Sequence, residues 1–264
     1  LAGAAVQGLF RNPLATPYTL GVSGGASLGA VLALQFIPPD AAWGFPVVFA
    51  AAFAMGVLTI LAVYRLAWSP AGLRLMSLLL AGVILNVIAS SAILLFQYFS
   101  GLTATLRILH WLMGDLSVVG YSILWKTGVF AAVGAFALLM TAKPLNAVAL
   151  GEETAVSMGV DVRSLERRIY FASSFLVAAV VATAGPIGFI GLVAPHLLRL
   201  LFGPDARIIL PGSMLAGALL LLVADTAART VIAPTEIPVG VFTSAFGGSF
   251  FLYLLWKTRR DLWA

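Results

Sequence analysis

The run MSLLLAGVILNVIASSAILLFQYF, residues 76–99, has no charged side chain in 24 positions. A helix of about 20 apolar residues crosses the ~30 Å hydrocarbon core of a bilayer. The run is long enough to do this, so it predicts a membrane-spanning helix. It therefore places the chain among membrane proteins before any other feature is considered.

The composition of the whole chain agrees with that prediction. Hydrophobic residues make up 61% of the 264 positions, charged residues 9%, and the mean hydropathy is +1.06. Soluble domains carry about 25% charged residues, so this chain has too few polar groups to cover a water-exposed surface. The absence of Cys excludes disulfides, thiolate metal sites and Cys nucleophiles. The sequence has no basic run interleaved with aromatic residues, so nothing in it indicates nucleic acid as a partner.

Seven further apolar runs are bounded by charges, Pro or Gly. With the first run they give eight predicted spans: Leu20–Ile37, Pro46–Ala67, Met76–Phe99, Leu124–Ala142, Tyr170–Ile187, Gly188–Phe202, Ile208–Ala228 and Ile237–Trp256. The opening segment Leu1–Phe10 is too short to span and is interpreted as the tail of another span. The predicted fold class is all-α, a polytopic transmembrane helical bundle forming one domain over residues 1–264.

Lys and Arg predict the orientation, because cytoplasmic loops are enriched in both. Eight spans put the loop at Arg11 and the C-terminus on the same side. That side collects Arg11, Arg65, Arg74, Lys143, Arg163, Arg167, Arg168, Arg199, Arg207, Lys257, Arg259 and Arg260. The other side collects only Arg107, Lys126 and Arg229. The Arg11 loop and the C-terminus are therefore predicted to be cytoplasmic.

The stretch Arg11–Ala30 gathers Asn, two Pro and several Gly between two apolar segments. A phosphate-binding loop would need a Lys after the glycines, and none is present. Pro13 and Pro17 instead predict a break in the helix. Gly21, Gly25 and Gly29 are spaced by four, which predicts a helix face that another membrane helix can approach closely.

Few ionisable residues are predicted at membrane depth. Asp225 is expected to pair with Arg229 four residues later, and His196 to bond a backbone carbonyl. Neither belongs to a metal-ligand or catalytic constellation, so the sequence predicts no catalytic residues, no metal site and no enzyme. Secondary transporters usually place ionisable groups near the midplane. A stand-alone secondary transporter or channel is therefore the alternative function, and the scarcity of such groups argues against it.

The predicted cytoplasmic loop at residues 143–168 contains a candidate partner-binding helix. Glu152–Gly159 has acidic residues in its first turn, which suit the helix dipole, and ends in a Gly. Ala155 and Met158 are predicted to form its apolar patch. The helix either fits a cleft on a partner or is an ordinary solvated loop helix, and the residues alone support both interpretations equally.

Several longer motifs resemble those of one transporter family. They are Gln7-x-x-x-Arg-Asn-Pro-Leu-Ala15, Leu20-Gly-Val-Ser-x-Gly-Ala26, Leu80-Ala-Gly-Val83, Trp111-Leu-Met-Gly114, Leu150-Gly-Glu152 with Gly159, Gly188-Phe-Ile-Gly-Leu-Val-Ala-Pro-His196 with Arg199, and Glu236-Ile-Pro-Val-Gly240 with Thr243 and Gly247. In this order they resemble the FecCD-type permease subunits of ABC importers (type II importers) for iron–siderophore complexes, haem and cobalamin.

The resemblance implies a ten-span subunit of a bacterial cytoplasmic (inner) membrane. Its partners would be a second permease subunit (a homodimer partner or close paralogue), two cytoplasmic ATPase subunits that bind ATP and Mg, an external substrate-binding protein (periplasmic or lipid-anchored) and membrane lipid. The chain itself would bind no cofactor. Iron–siderophore is the expected substrate, because it is the commonest in the family, with haem or cobalamin as alternatives. The family's first span and the start of its second have no counterpart here.

The resemblance also implies roles for individual residues. Glu152, Glu153, Thr154, Ala155, Met158 and Gly159 would form the coupling helix that contacts the ATPase. Asn12 and Leu14 match positions at the cytoplasmic gate, and Ser90, Ser91 and Leu94 match the pore-lining helix. Arg229 matches an external arginine that docks acidic residues of the binding protein.

Overall fold

The structure, a computed structural model, describes residues 1–38, 44–69, 72–117 and 121–263. The described residues form α1 (Ala2–Phe10), α2 (Val22–Phe36), α3 (Gly44–Ala67), α4 (Leu75–Phe99), α5 (Leu102–Leu112), α6 (Tyr121–Leu139), α7 (Ala142–Ala149), α8 (Glu152–Ser157), α9 (Val162–Ala184), α10 (Ile190–Phe202), α11 (Ala206–Thr230) and α12 (Val239–Trp263). A short 3-10 helix covers Pro17–Leu20, and strands β1 (Trp68–Ser69) and β2 (Gly72–Leu73) pair antiparallel. The predicted all-α fold is confirmed apart from this small hairpin.

Each of the eight predicted spans coincides with an apolar helix. In the described residues α3, α4, α9 and α11 are long and apolar enough to cross a bilayer. The pair α6 and α7 passes the same test together but is bent by 44°, and α2, α10 and α12 contribute shorter apolar helices. The helices α5 and α7 were not predicted separately, because each lies next to a longer apolar run.

The predicted loop at residues 143–168 is largely helical, which corrects the sequence interpretation. It contains most of α7, all of α8 and the start of α9, which begins at Val162 rather than Tyr170. The Asp161 side chain caps α9 by accepting a hydrogen bond from the Ser164 N–H at 3.0 Å. Leu165 and Ile169 are buried while the arginines of this segment are exposed. The arginines interrupt the uncharged run, so the sequence places the start of this segment too late, although the helix continues through them.

The helix α2 packs against α3, α4 and α9. A Cβ atom on Gly25 would overlap the Thr59 hydroxyl of α3, and one on Gly29 would overlap the Ala51 carbonyl. The predicted close helix approach is therefore confirmed for these two glycines. Gly21 does not belong to that face: it precedes α2 with a φ of +84° and lies against Gly82 of α4.

The helix α1 packs against α9 and α10. Small residues and hydrogen bonds of Gln7 form the contact with α10. A Cβ on Gly3 would overlap the Gly191 carbonyl. The Gln7 amide donates to the same carbonyl at 3.2 Å, and Arg199 donates to Gln7 Oε1 at 2.5 Å. The Arg199 charge is thus bonded inside the bundle rather than left against lipid.

Arg107 and Arg229 lie at the same end of the bundle, since the charge of Asp115, eight residues after Arg107, acts on Arg229. At one end Arg107 donates to the Ile37 carbonyl at 3.0 Å, and the Asp115 N–H donates to the Ala184 carbonyl at 2.9 Å. At the other end the Asn146 amide bonds Asp205 at 2.6 Å. The side chains of Arg259 and Arg260 lie outside the described residues. That this second end is cytoplasmic stays a prediction.

The contact at Gly25 predicts an asymmetric effect of two Gly→Ala substitutions. Gly25→Ala should lower the thermal midpoint of the purified protein by about 3–8 °C, because an extra methyl group in a filled helix contact costs ~1–3 kcal/mol. Gly128→Ala is the control, since a Cβ there meets nothing within 4 Å. Light scattering during a thermal ramp in detergent measures both, and equal midpoints for the two variants would contradict the packing argument.

Candidate functional site

The predicted gate residues Asn12 and Leu14 lie in an exposed turn that follows α1. The helix ends at Phe10, and Arg11 adopts a left-handed conformation with a φ of +49°. The Leu14 N–H donates to Asn12 Oδ1 at 2.9 Å, which fixes the turn locally. Leu14 is 61% exposed, so its apolar side chain projects from the end of the bundle with no cover from the described part of the chain. The predicted break at Pro13 and Pro17 is confirmed.

The predicted pore residues Ser90, Ser91 and Leu94 lie on an exposed face of α4. All three are exposed, and Leu94 is 66% exposed. Val83, Val87 and Ile88 on the same helix are also exposed, whereas Leu78, Ala81 and Ala89 are buried against other helices. One side of α4 therefore packs into the subunit, and the other is free for lipid, a pore or a second subunit.

The predicted coupling helix is confirmed as a short helix ended by Gly. The helix α8 covers Glu152–Ser157, and Gly159 has a φ of +81°. The Gly159 N–H donates to the Val156 carbonyl at 2.9 Å and the Val160 N–H to the Ala155 carbonyl at 3.0 Å. This pair of bonds is a Schellman motif, which needs a residue tolerant of positive φ at Gly159.

The apolar surface of α8 differs from the predicted one. Ala155 is fully buried and packs with Leu145, Val148 and Leu165, so it anchors the helix instead of facing a partner. The exposed apolar side chains are Leu150, Val156 and Met158, each at least 60% exposed. Ala155 and Met158 therefore do not share a patch, since one is buried and the other, in the C-terminal cap, is exposed.

Glu152, Glu153 and Thr154 lie on the exposed part of α8 with Met158 and Gly159. The result is a short helix whose outer surface mixes two carboxylates with large apolar side chains. Such a surface suits a groove on another protein better than it suits water.

The gate turn and α8 lie at the same end of the bundle. A Cβ on Gly8, in the last turn of α1, would be 3.2 Å from a Leu145 methyl group of α7. The helix α7 precedes α8 by two residues and is fixed to α11, because Asn146 Oδ1 accepts from the Ala206 N–H at 2.8 Å. The turn, α7 and α8 therefore form one connected surface.

Arg229 lies at the opposite end and is already paired within the chain. It bonds Asp225 at 2.9 Å and Glu236 at 3.4 Å. The predicted pair with Asp225 is confirmed, so Asp225 is not a free ionisable group at membrane depth. Arg229 keeps a partly exposed side chain, with 34% of its surface accessible.

Asp115 belongs to the same end and forms a compact polar turn. Burial raises the pKa of this carboxyl, but hydrogen bonds from the Ser117 hydroxyl and N–H and the nearby His110 lower it further, so the net pKa lies below its ordinary value. The carboxylate therefore stays charged at neutral pH and adds negative potential near Arg229.

His196 does not make the predicted bond to a carbonyl within the described residues. Its ring packs edge-on against Phe250 and Phe251, at centroid distances of 6.2 and 5.7 Å. Among the described residues no group of three or more His, Cys, Asp or Glu side chains could hold a metal ion. His196 is thus a packing residue in this arrangement.

Sequence analysis missed Asn86 on α4. Its side chain bonds the Tyr18 carbonyl at 2.7 Å and the Gly24 N–H at 3.1 Å, on either side of Gly21. A lone amide in an otherwise apolar run was the available signal, because polar groups in lipid are expensive unless they are bonded. The pattern could not name the partners, which lie more than 60 positions away.

Comparison with known proteins agrees with this geometry. The chain is 40% identical to the hemin transport system permease protein HmuU of Yersinia pestis, over 99% of this chain and 78% of the relative. It is 39% identical to the vitamin B12 import system permease protein BtuC of Citrobacter koseri, over 98% and 78% of the two chains.

A solved structure has the same fold. It is described as an inward-facing conformation of a metal-chelate type ABC transporter, and it matches with a TM-score of 0.87 and 33% identity over 97% of this chain and 80% of that one. The model of the FecCD transport family matches residues 1–257. The chain is therefore a multi-pass membrane protein that belongs to the FecCD transport family.

Proposed function

We propose that this chain is the permease subunit of an ATP-driven, binding-protein-dependent importer of a metal chelate. The substrate class comprises haem, cobalamin and ferric siderophores, which share a large organic ligand around one metal ion. The observation that carries the proposal is the family match over residues 1–257, with relatives named as hemin and vitamin B12 permeases. The family gives no support to a stand-alone secondary transporter or channel.

The exposed surface of α8 is the proposed contact with the ATPase subunits. Glu153, Val156 and Met158 project outward, while Ala155 packs into the bundle and the Schellman motif ends the helix. A push on α8 would reach α7 directly and α1 through the Gly8–Leu145 contact. ATP and Mg would bind to the ATPase, and this chain would turn the resulting motion into a shift of the turn at Asn12 and Leu14.

The free face of α4 is the proposed wall of the pathway. Two permease subunits, either identical or close paralogues, would bring two such faces together around the substrate. Ser90, Ser91 and Leu94 would then line the pore with small polar and apolar groups. A wall without fixed charges among these residues suits a bulky chelate that must move on rather than bind tightly.

Arg229 is the proposed docking residue for the external binding protein. Its bond to Asp225 is short, but its contact with the exposed Glu236 is 3.4 Å long. A carboxylate of the binding protein could replace Glu236 as the second partner while Asp225 keeps the guanidinium oriented. The proposal includes a bacterial inner membrane with the C-terminus on its cytoplasmic face, and the positive-inside pattern of Lys and Arg supports it.

The function is tested by uptake into proteoliposomes. The full-length permease, assembled with its ATPase and binding protein, should accumulate one of haem, cobalamin or a ferric siderophore only when ATP is supplied inside. The three substrates are compared in parallel, with a non-hydrolysable nucleotide as control. Uptake driven by a proton or sodium gradient without the ATPase would refute the proposal.

The coupling role predicts a specific defect for two α8 variants. Glu153→Lys reverses a charge on the contact surface, and Gly159→Val forces a β-branched residue into a left-handed conformation. Both should lower ATP-driven uptake at least about tenfold, the effect of losing ~1.4 kcal/mol of coupling free energy. Membrane insertion should be unchanged. Ser157→Ala, at an exposed position of the same helix, is the matched control, and normal uptake in both variants would exclude the role.

The attachment of α7 to α11 predicts a local change in stability. Asn146→Leu removes the bonds to the Ala206 N–H and to Asp205, each worth ~1 kcal/mol, so amide exchange across α7 and α8 should rise at least roughly fivefold. Lys143→Leu on the same helix is the control. Hydrogen-exchange mass spectrometry of the assembled transporter measures both, and equal exchange in the two variants would contradict the attachment.

The same attachment should be insensitive to pH near neutrality. The hydrogen bonds from the Asn146 amide and the Arg207 N–H lower the pKa of the Asp205 carboxyl below its ordinary value. A lowered carboxyl pKa adds stability that is complete above the unfolded value and is lost as pH falls through the folded value. The protection factor of the α7 amides, which is their exchange rate corrected for the intrinsic rise of exchange with pH, should therefore stay constant between about pH 5 and 8.

A further inference from the structure

The start of α2 is capped by another helix. The residue at its N-cap is Gly21, which has no side chain to accept hydrogen bonds from the first free N–H groups of the helix. Asn86 of α4 supplies the missing acceptor, since its Oδ1 bonds the Gly24 N–H at 3.1 Å. In a bilayer that N–H group would otherwise have no partner.

The other half of the same amide bonds the segment before the break. Asn86 Nδ2 donates to the Tyr18 carbonyl at 2.7 Å, within the short 3-10 helix. That helix has its own cap, because Thr16 Oγ1 accepts from the Thr19 N–H at 3.3 Å. Asn86 therefore bonds both sides of the break at Gly21. The Tyr18 carbonyl also accepts from the Gly21 N–H at 3.1 Å, so the amide of Asn86 adds a second bond there and joins the segment to α4.

Gly82, one helical turn before Asn86, brings the backbones together. A Cβ on Gly21 would be 2.9 Å from the Gly82 carbonyl, and a Cβ on Gly82 would be 2.7 Å from the Leu20 carbonyl carbon and would overlap the Thr19 carbonyl oxygen. Residues four apart share a helix face, so Gly82 and Asn86 present one contact surface to the turn. The surface combines close packing with two directional bonds.

This contact lies between the two parts of the proposed transport pathway. The gate residue Leu14 is four positions before Tyr18 in the chain, and Ser90 is one turn after Asn86 on α4. Tyr18 and Gly24 are bonded to α4 and Ala15 is buried in the same cluster as Leu78 and Ala81 of that helix, whereas the preceding residues 11–14 are exposed. Any shift of α4 would then carry the base of the gate turn with it.

We propose that Asn86 is a positioning residue that fastens the segment Thr16–Gly24 to α4, so that the base of the gate turn and the pore-lining face move as one body. The proposal rests on the proposed function, because it gives the gate turn and the α4 face their roles in transport. Asn86 touches neither substrate nor nucleotide in this account.

The experiment replaces Asn86 with residues that remove its bonds stepwise. Asn86→Leu has nearly the same size and loses both bonds, whereas Asn86→Asp keeps the acceptor for Gly24 and loses the donor to Tyr18. Gln97→Leu is the matched control: it removes the amide of another α4 residue, whose Nε2 has no hydrogen-bond partner among the described residues. All variants are prepared as the full-length permease in the assembled transporter.

Two readouts are recorded in lipid nanodiscs and proteoliposomes. Amide exchange of peptides covering residues 16–25 should rise roughly tenfold in Asn86→Leu and less in Asn86→Asp, with no change in Gln97→Leu. The number of ATP molecules hydrolysed per substrate imported should rise in the same order. A residue needed only for folding would lower hydrolysis and uptake together and leave that ratio unchanged.

Either of two outcomes would overturn the proposal. One is parental exchange of residues 16–25 in Asn86→Leu, and the other is a parental ratio of hydrolysis to uptake despite faster exchange. Should Asn86→Leu fail to assemble, Asn86→Asp and Gly82→Ala are judged by the same criteria. A parent transporter that imports no chelate would refute the proposed function, and the exchange result would then decide the fastening of the turn by itself.

Discussion

A backbone N–H or C=O group inside a bilayer finds no water, so every break in a membrane helix needs a partner from elsewhere in the protein. The break at Gly21 meets this need through Asn86 of α4, which bonds the chain on both sides of it. The end of α9 meets it through the Asp115 N–H, and the start of α11 through Asn146. At each of these places the partner comes from a different element, so the need for hydrogen bonds also fixes the helices to one another.

The same constraint distinguishes the segments that are packed and hydrogen-bonded to other helices from the surfaces that are exposed. The bonded breaks join the helices into one frame, in which small residues such as Gly25 and Gly3 let helices approach closely. The exposed surfaces of the described residues include the Asn12–Leu14 turn, the exposed side of α4 and the outer side of α8. In the proposed function these three surfaces are the gate, the pore wall and the contact with the ATPase. In this proposal a displacement of α8 moves the turn or α4 only because the packed and hydrogen-bonded helices between them transmit it.

Much of the fold could be predicted from the sequence, for reasons that particular residues make clear. The eight spans follow from apolar length, and the glycines at 25 and 29 follow from their spacing. The start of α9 was placed at Tyr170 rather than Val162 because the charges at Arg163, Arg167 and Arg168 end an apolar run but not a helix. The predicted apolar patch of α8 was right for Met158 and wrong for Ala155, since Ala155 is buried and its neighbour Val156 is exposed. His196 was expected to bond a carbonyl, yet it packs against Phe250 and Phe251.

By itself the sequence determined that the chain crosses a membrane, where it crosses, and which ends carry the positive charge. These are properties of segments, set by hydrophobicity and by charges next to each other in the chain. Only the tertiary structure decided which side of each helix faces protein, and that Asn86 serves Tyr18 and Gly24. The physical reason is that a membrane helix is apolar on its lipid side and on its buried side alike, so its residue pattern does not distinguish the two. The polar contacts that do distinguish them join residues far apart in sequence, and they exist only once the helices have packed.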